Sequence, residues 1–221
     1  MNIRGFNFII NNKASGWVWG SLESWDQETF NWIERNKDGK IFWDIGAWIG
    51  PFSLYGSKLF DNVISFEPDF IAAKVLEDHI NDNQIKNIKL VRKGLYSDDT
   101  IVNFSFIGNK FGDSLSSINH VNNNAIKIKT ISIDTALSLY GIPDFLKIDI
   151  EGGEEYLIED LAKHKFSAFC MSNHGPYMKD RTIYQQKIND LLLPIYDCYG
   201  KDNKKIDFIP DDGDFYYTLK Q

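Results

Sequence analysis

Short apolar runs alternate with longer amphipathic segments along most of this chain. From Gly39 onward, five apolar runs have the length of buried strands: residues 40–46, 62–68, 88–94, 144–150 and 166–172. Residues 69–81 carry apolar side chains at helical spacing, as a helix that covers a sheet requires. Such alternation is typical of a parallel sheet with helices on both faces. We therefore predict a doubly wound, Rossmann-like α/β fold with right-handed crossovers.

The periodicity changes on either side of this core. Residues 24–37 predict a leading helix capped by Ser24, a residue type favoured at helix N-termini. Further predicted elements are strands over 100–108 and 125–133, a helix over 177–193, and an antiparallel pair of strands over 193–200 and 214–220. The polar, aperiodic loop 108–124 separates the first two of these strands, and we expect it to cover a site.

The length of 221 residues suits one large core and is short for two domains of ordinary size. We predict a single domain over residues 1–221, with residues 1–38 as an N-terminal extension and leading helix and residues 39–221 as the sheet and helices. Polar residues interrupt the apolar run near the N-terminus, so we expect neither a signal peptide nor a membrane span. A cytoplasmic location is expected.

Composition and charge narrow the function classes. Hydrophobic residues make up 43% of the chain and the formal net charge is -7. This is a globular composition, and it provides no overall positive field to attract nucleic acid or an anionic membrane. The two cysteines, Cys170 and Cys198, form no metal-ligand pattern. We therefore expect no nucleic-acid partner, no zinc site and no disulfide framework.

Three consecutive strand ends carry residues suited to a nucleoside. Asp44, Gly46 and Gly50 follow the first strand as D-x-G-x-x-x-G, where glycine permits close backbone approach and the acid suits an amino acid ammonium group. Glu67 ends the second strand, where a carboxylate can accept hydrogen bonds from both ribose hydroxyls. Tyr96 and Ser97 follow the third strand and are candidates for the adenine edge. Each motif taken alone is equally compatible with a simple turn.

The segment after the fourth strand is the most informative. A strand that should be buried carries Lys147, Asp149 and Glu151 at a spacing of two, so the three side chains share one side. Burial of several charges is costly without a purpose, which predicts a functional site. His174 follows the fifth strand just before a Gly-Pro turn, at the edge where the first, fourth and fifth strands end together.

In this order and spacing, DIGAWIG, SFEP, GLYSDD and KIDIEGGE resemble the FkbM family of S-adenosylmethionine-dependent methyltransferases, over residues 40–174. The resemblance implies a class I methyltransferase sheet and S-adenosylmethionine as cofactor. It implies Asp44, Gly46 and Gly50 for the methionine part and Glu67 for the ribose. The residues that match the fourth-strand signature are Lys147, Asp149, Glu151 and Glu154. The chain departs from the family pattern at Trp48, Phe52 and Ser53.

The resemblance also implies an acceptor hydroxyl on a sugar, a glycan or a related small molecule. An alcohol must lose its proton during methyl transfer, and Asp149 or His174 could act as the general base, with Lys147 and Glu151 as further catalytic candidates. Alternatively, Asp149, Glu151 and His174 could bind Mg or Mn together with the acceptor. Trp17, Trp19 and Trp25 could stack on a sugar ring, although packing is the more ordinary use of such residues.

Two other functions fit parts of the sequence. An NAD-linked oxidoreductase uses the same fold and ribose contact, but the chain lacks G-x-G-x-x-G. A noncatalytic module that binds S-adenosylmethionine would keep the fold without the chemistry, and the acidic residues at successive strand ends argue against it. Comparing the binding of S-adenosylhomocysteine (SAH) with that of NADH separates the first alternative. The acceptor's identity and the oligomeric state are not encoded in any motif.

Overall fold

An eight-stranded mixed sheet lies at the centre of the structure. The structure is a computed structural model that describes residues 1–12, 16–22, 24–106, 112, 114–119 and 122–221. The strands are β1 (Asn2–Ile3), β2 (Phe6–Asn7), β3 (Ile41–Ile45), β4 (Asn62–Phe66), β5 (Ile88–Val91), β6 (Gly94–Tyr96), β7 (Ile101–Phe106), β8 (Ser116–Ser117), β9 (Ile126–Ser132), β10 (Phe145–Ile148), β11 (Ala168–His174), β12 (Tyr196–Tyr199), β13 (Lys205–Ile206) and β14 (Asp212–Leu219). The α-helices are α1 (Gly16–Ser21), α2 (Gln27–Arg35), α3 (Pro51–Gly56), α4 (Phe70–Asp82), α5 (Ile133–Tyr140), α6 (Ile158–His164) and α7 (Arg181–Leu192), and two 3-10 turns cover Gly153–Tyr156 and Gly175–Tyr177.

The strand order of the main sheet is β13-β12-β14-β11-β10-β3-β4-β5. The run from β11 to β5 is parallel, whereas β14 is antiparallel to both β11 and β12. The predicted doubly wound sheet with an antiparallel C-terminal pair is therefore confirmed. The chain order reverses between β3 and β10, and sheets of this type bind ligands at the carboxyl edge of such a switch point.

The central strands are buried on both faces, which explains why they form continuous apolar runs. Because successive side chains of a strand point to opposite faces, β10 sends Leu146 and Ile148 into one apolar cluster and Phe145 into the other. In β3, Trp43 and Ile45 join the first cluster, and the helices α5, α6 and α7 contribute to it. Both faces of the sheet are thus covered.

The N-terminal segment packs on the second apolar cluster. Trp32 of α2 stacks on Tyr216 of β14, with ring centroids 5.2 Å apart. The leading helix is confirmed, but its cap is Asp26 rather than Ser24, because the Asp26 side chain accepts the backbone N–H of Thr29. None of the helices in these described ranges is long and apolar enough to cross a membrane.

The chain between β5 and β10 forms a separate four-stranded sheet in the order β6-β9-β7-β8. The two extra strands predicted on either side of the polar loop are thereby confirmed as β7 and β9. Helix α5 was not predicted, and it begins where the Ser132 side chain accepts the N–H of Thr135. Of the loop predicted over 108–124, residues 108–111, 113 and 120–121 lie outside the described residues.

Gly50 has a structural reason to be glycine. Its φ is +93°, and a Cβ would lie 2.3 Å from Cδ1 of Leu76. We expect Gly50→Ala to lower the free energy of unfolding by about 2–4 kcal/mol through backbone strain and overlap. In the matched Gly200→Ala change the added Cβ would lie no closer than 3.7 Å to its nearest neighbour, an Asp202 oxygen, so the change should cost at most about 0.5 kcal/mol. Equal midpoints for both variants in urea denaturation would contradict this account.

Candidate active site

A cavity of about 320 Å³ opens at the carboxyl edge of the sheet. It is lined by the ends of β3, β4, β10 and β11, by the segment around α1 and α2, and by the inner face of the small sheet. The predicted site residues that line it are Gly46, Glu67, Lys147, Asp149, Glu151 and His174. The structure therefore brings most of the predicted site together in one place.

Glu67 lies in the wall of the cavity with both oxygens anchored by the backbone. Oε2 accepts the N–H of Trp48 at 2.7 Å, and Oε1 accepts the N–H of Asp69 at 2.8 Å. Burial raises the pKa of Glu67 to about 8. Each carboxylate oxygen can accept more than one hydrogen bond, so the group is oriented and still able to bind donors from a ligand.

Asp69 was not predicted as a site residue, although it lines the same cavity. Its Oδ1 caps α4 by accepting the N–H groups of Ile71 and Ala72. Its Oδ2 accepts the N–H of Gly112 at 2.6 Å and the hydroxyl of Ser116 at 3.3 Å. Asp69 thus attaches the described part of the polar loop to the helix that follows Glu67. The sequence signal for Asp69 is its position. It follows the strand-end acid Glu67 by two residues and stands at the start of a helix.

Asp44 lies beneath the cavity rather than in its wall. The carboxylate is fully buried, accepts the hydroxyl of Ser53 at 2.5 Å, and lies 3.6 Å from Nζ of Lys147. The register pairs Asp44 with Lys147 across β3 and β10. Lys147 also donates to the carbonyl of Gly46 at 2.8 Å and lies 3.6 Å from Asp149. Asp44 does not line the cavity, and its predicted contact with a ligand ammonium group stays a prediction.

Two other predicted cofactor residues, Tyr96 and Ser97, do not line the cavity. The Tyr96 ring packs on Tyr156 at 4.6 Å, and the Ser97 hydroxyl donates to Asp98. Gly94 and Leu95 take that position instead.

The two glycines of the first motif are explained by backbone approach and helix packing. A Cβ on Gly46 would lie 1.9 Å from the carbonyl oxygen of Asp149, so glycine allows the ends of β3 and β10 to approach closely. Gly50 packs against Leu76 and does not line the cavity. Gly46 is thus the glycine that remains available to a ligand.

His174 is surrounded by three carboxylates. Its Nδ1 lies 3.0 Å from Oε1 of Glu154, and its Nε2 lies 3.5 Å from Glu151 and 3.7 Å from Asp149. Glu154 is itself fixed, because its oxygens accept the N–H groups of Ile150 and Gly152. The geometry makes Glu154 a positioning residue for the ring and leaves Nε2 facing the cavity.

The charge state of this cluster follows from its neighbours. Burial lowers the pKa of His174, but Glu154, Asp149 and Glu151 outweigh it and raise the pKa to about 10. Burial raises the pKa of Glu151, and the charge of His174 opposes that rise. Of the two carboxylates at Nε2, Asp149 has the more accessible side chain, with 31% exposed against 14% for Glu151. At neutral pH the imidazole therefore carries a proton, and Asp149 is the carboxylate most open to an incoming ligand.

The opposite wall combines aromatic rings with further acids. Trp17 and Trp25 line the cavity, whereas Trp19 is buried edge-on against His79. Asp26 and Asp214 also line it and were not predicted. The sequence signal for Asp26 as a site residue is its position beside Trp25 at the start of a helix, because the helix orients the carboxylate that caps it.

Solved structures of several methyltransferases share this fold. The methyltransferase FkbM from Methylobacillus flagellatus KT matches with a TM-score of 0.53 and 19% identity, over 81% of this chain and 44% of that one. An O-methyltransferase from Bacillus cereus, solved in complex with SAH, matches with a TM-score of 0.52 and 12% identity, over 89% and 82% of the two chains. The ribosomal protein L11 methylase from Lactobacillus delbrueckii subsp. bulgaricus gives 0.51 and 13%, over 91% and 80%. At such identities these matches establish the fold.

The family is established independently. The profile of the methyltransferase FkbM domain matches residues 44–189, which is well over half of the chain. The chain therefore belongs to the FkbM methyltransferase family. It spans less than half the length of the Methylobacillus protein, and no curated protein matches its sequence significantly. Membership favours methyl transfer over the NAD-linked oxidation considered from the sequence.

The charge of His174 can be measured directly. We expect the imidazole to stay protonated through pH 7 in protein free of added metal, because three carboxylates surround it. The Glu154→Gln change should lower the pKa of His174 by more than about one unit, since it removes the nearest negative charge. Nitrogen chemical shifts of the ring across a pH series provide the readout. A neutral ring at pH 7 in the unsubstituted protein would refute this charge assignment.

Proposed function

We propose that this protein is an S-adenosylmethionine-dependent O-methyltransferase that acts on a hydroxyl group of a sugar, a glycan or a related small molecule. The supporting observation is that Glu67 and the cluster around His174 line one cavity at the switch point of the sheet. Glu67 suits a ribose, and the cluster around His174 suits an alcohol that must lose a proton. A single domain over residues 1–221 with a small-molecule acceptor is part of this proposal.

The cofactor half of the cavity contains the groups that a nucleoside requires. Glu67 would accept the ribose hydroxyls, because its two backbone donors fix its orientation. Gly46 would approach the methionine part through its backbone. Leu95 and Gly94 would border the adenine in place of Tyr96 and Ser97. Asp44 would act through Lys147 and Gly46.

S-adenosylmethionine supplies an electrophilic methyl group when it is bound. The protein must then hold the acceptor oxygen in line with that group and remove its proton. Asp149 would accept the proton, because it is the accessible carboxylate of the cluster and His174 is already protonated. Lys147 holds Asp149 from the other side, and protonated His174 would donate a hydrogen bond to the developing alkoxide.

A divalent cation is the alternative route to the same step. Asp149, Glu151 and His174 offer ligand atoms that lie within 4.8 Å of one another. Glu154 holds Nδ1 of the ring as an outer partner would, so the residues fit Mg or Mn. The cation would lower the pKa of the acceptor hydroxyl and would take the place of the proton on Nε2.

The cofactor assignment is tested by removing the ribose carboxylate. Glu67→Ala should weaken SAH binding about 10- to 100-fold, because the carboxyl that two backbone N–H groups orient toward the ribose is lost. Glu159→Ala, which removes a side chain that is 75% exposed on α6, serves as the matched control and should leave affinity unchanged. Calorimetric titration measures both. Equal affinity in the two variants would remove Glu67 from the cofactor site.

The role of Asp149 is tested with an acceptor found in a screen of hexoses and deoxysugars, with mass detection of one added methyl group. Asp149→Asn should lower turnover about 100-fold with little change in SAH affinity, as expected for loss of a general base. Asp134→Asn, at a site 60% exposed on α5, should retain turnover. Near-normal turnover of Asp149→Asn would make the assignment wrong.

Chelation separates the two routes to the alkoxide. If Asp149 acts as a simple base, EDTA leaves turnover unchanged, and this is the result we expect. Loss of activity in EDTA with recovery on added Mg or Mn would instead assign Asp149, Glu151 and His174 as residues that hold a cation, which would lower the pKa of the acceptor hydroxyl.

A further inference from the structure

Four aromatic rings form a continuous surface in the wall of the cavity. Trp25 stacks on Phe52 with ring centroids 5.2 Å apart. Trp17 lies 5.8 Å from Trp48 and 6.2 Å from Trp25. All four rings line the cavity. Faces of aromatic rings attract cations and cover the apolar face of a ligand.

Asp26 stands next to this surface with few partners of its own. Its carboxylate lines the cavity and accepts one backbone N–H, that of Thr29, at 3.4 Å. Among the residues that the structure describes, it forms no ion pair within 4.0 Å. Burial and the nearby charge of Asp214 raise the pKa of Asp26 to about 6. The group is thus still ionised in most molecules at neutral pH, and it lacks a counter-charge.

The cations of the cavity wall are already engaged elsewhere. Lys147 contacts Asp44 and Asp149. His174 is shared by Glu151, Glu154 and Asp149. Lys201 lies 3.2 Å from Oδ2 of Asp214, whose Oδ1 accepts the hydroxyl of Ser172. These cations have carboxylate partners already, so the field at Asp26 is negative.

We propose that the Trp25–Asp26 wall is the acceptor subsite, and that it selects a sugar carrying a protonated amino group near the hydroxyl that is methylated. This inference rests on the proposed function, since it assigns one wall of the same cavity to the acceptor. The ammonium group pairs with Asp26 and lies against the tryptophan faces. The ring hydroxyls reach Asp214 and Ser172.

The charge of the sugar's substituent decides which acceptors this subsite prefers. A sugar bearing a carboxylate or a phosphate meets uncompensated negative charge in a partly enclosed cavity, where repulsion is only weakly screened. An N-acetylated sugar leaves the Asp26 carboxylate without a cation. A site built around a polar group rejects analogues that lack its partner far better than an apolar pocket rejects small changes of size.

The variant Asp26→Asn isolates the charge. Asparagine keeps the shape, caps helices as well as aspartate does, and tolerates the left-handed conformation that residue 26 adopts at φ 42°. The matched control is Asp38→Asn, which removes one negative charge from an exposed position just before β3. That position lies at the opposite edge of the sheet from the cavity.

The experiment offers each of several hexose configurations in three forms: the free amine, the N-acetyl derivative and the uronic acid. The unsubstituted protein should methylate the amine with kcat/KM about 10- to 100-fold above that of the N-acetyl form, as a charged hydrogen bond provides. Asp26→Asn should abolish most of this preference, Asp38→Asn should keep it, and both should bind SAH normally. An equal or greater rate with the N-acetyl form or the uronic acid, or a preference that survives in Asp26→Asn, overturns the subsite.

Binding supplies a second measurement if none of these sugars is methylated. In protein saturated with SAH, the amine should bind more tightly than the N-acetyl form, and Asp26→Asn should remove the difference. Absence of any difference overturns the inference. Methylation of neutral sugars without an amine preference would overturn the subsite while leaving the methyltransferase proposal intact, whereas failure to bind SAH would defeat both.

Discussion

The buried ammonium group of Lys147 is the constraint on which the site depends. The register of β3 and β10 sets it beside Asp44, and its remaining contacts are the Gly46 carbonyl and Asp149. A buried cation is tolerated only when charged and polar partners surround it. The two carboxylates and the glycine turn are therefore fixed relative to one another. Removal of Asp44, the fully buried partner, would leave the ammonium group with one partly exposed carboxylate, at a cost that exceeds the contact itself.

The cavity has two halves with different electrostatics. In the cofactor half, backbone N–H groups hold Glu67 and Asp69, so the acids are oriented without using cations. In the catalytic half, side-chain cations and acids form a connected network around His174. The small sheet contacts the first half through the hydroxyl of Ser116 in β8, which donates to Asp69. The nucleoside region is thus built by local backbone geometry, and the reactive region by long-range packing.

That division also explains what could be predicted from the sequence. The parallel strands were predictable because burial on both faces leaves an apolar run, and Glu67 because it ends such a run. Tyr96 and Ser97 lie outside the cavity lining because the chain after β5 continues as β6, which pairs with β9, and that pairing has no local sequence signal. The partner of Asp44 lies on a strand distant in sequence, and register between distant strands has no local signal. Asp26 was missed because Ser24 offers an equally good cap by residue type.

A crystal structure of the protein with SAH tests the central claim most directly. The account predicts the ribose hydroxyls within hydrogen-bonding distance of Glu67, with the sulfur directed toward the side of the cavity that holds Asp149 and His174. Binding of SAH outside this cavity, or in it with the ribose away from Glu67 and the sulfur away from Asp149, would contradict the assignment of both halves.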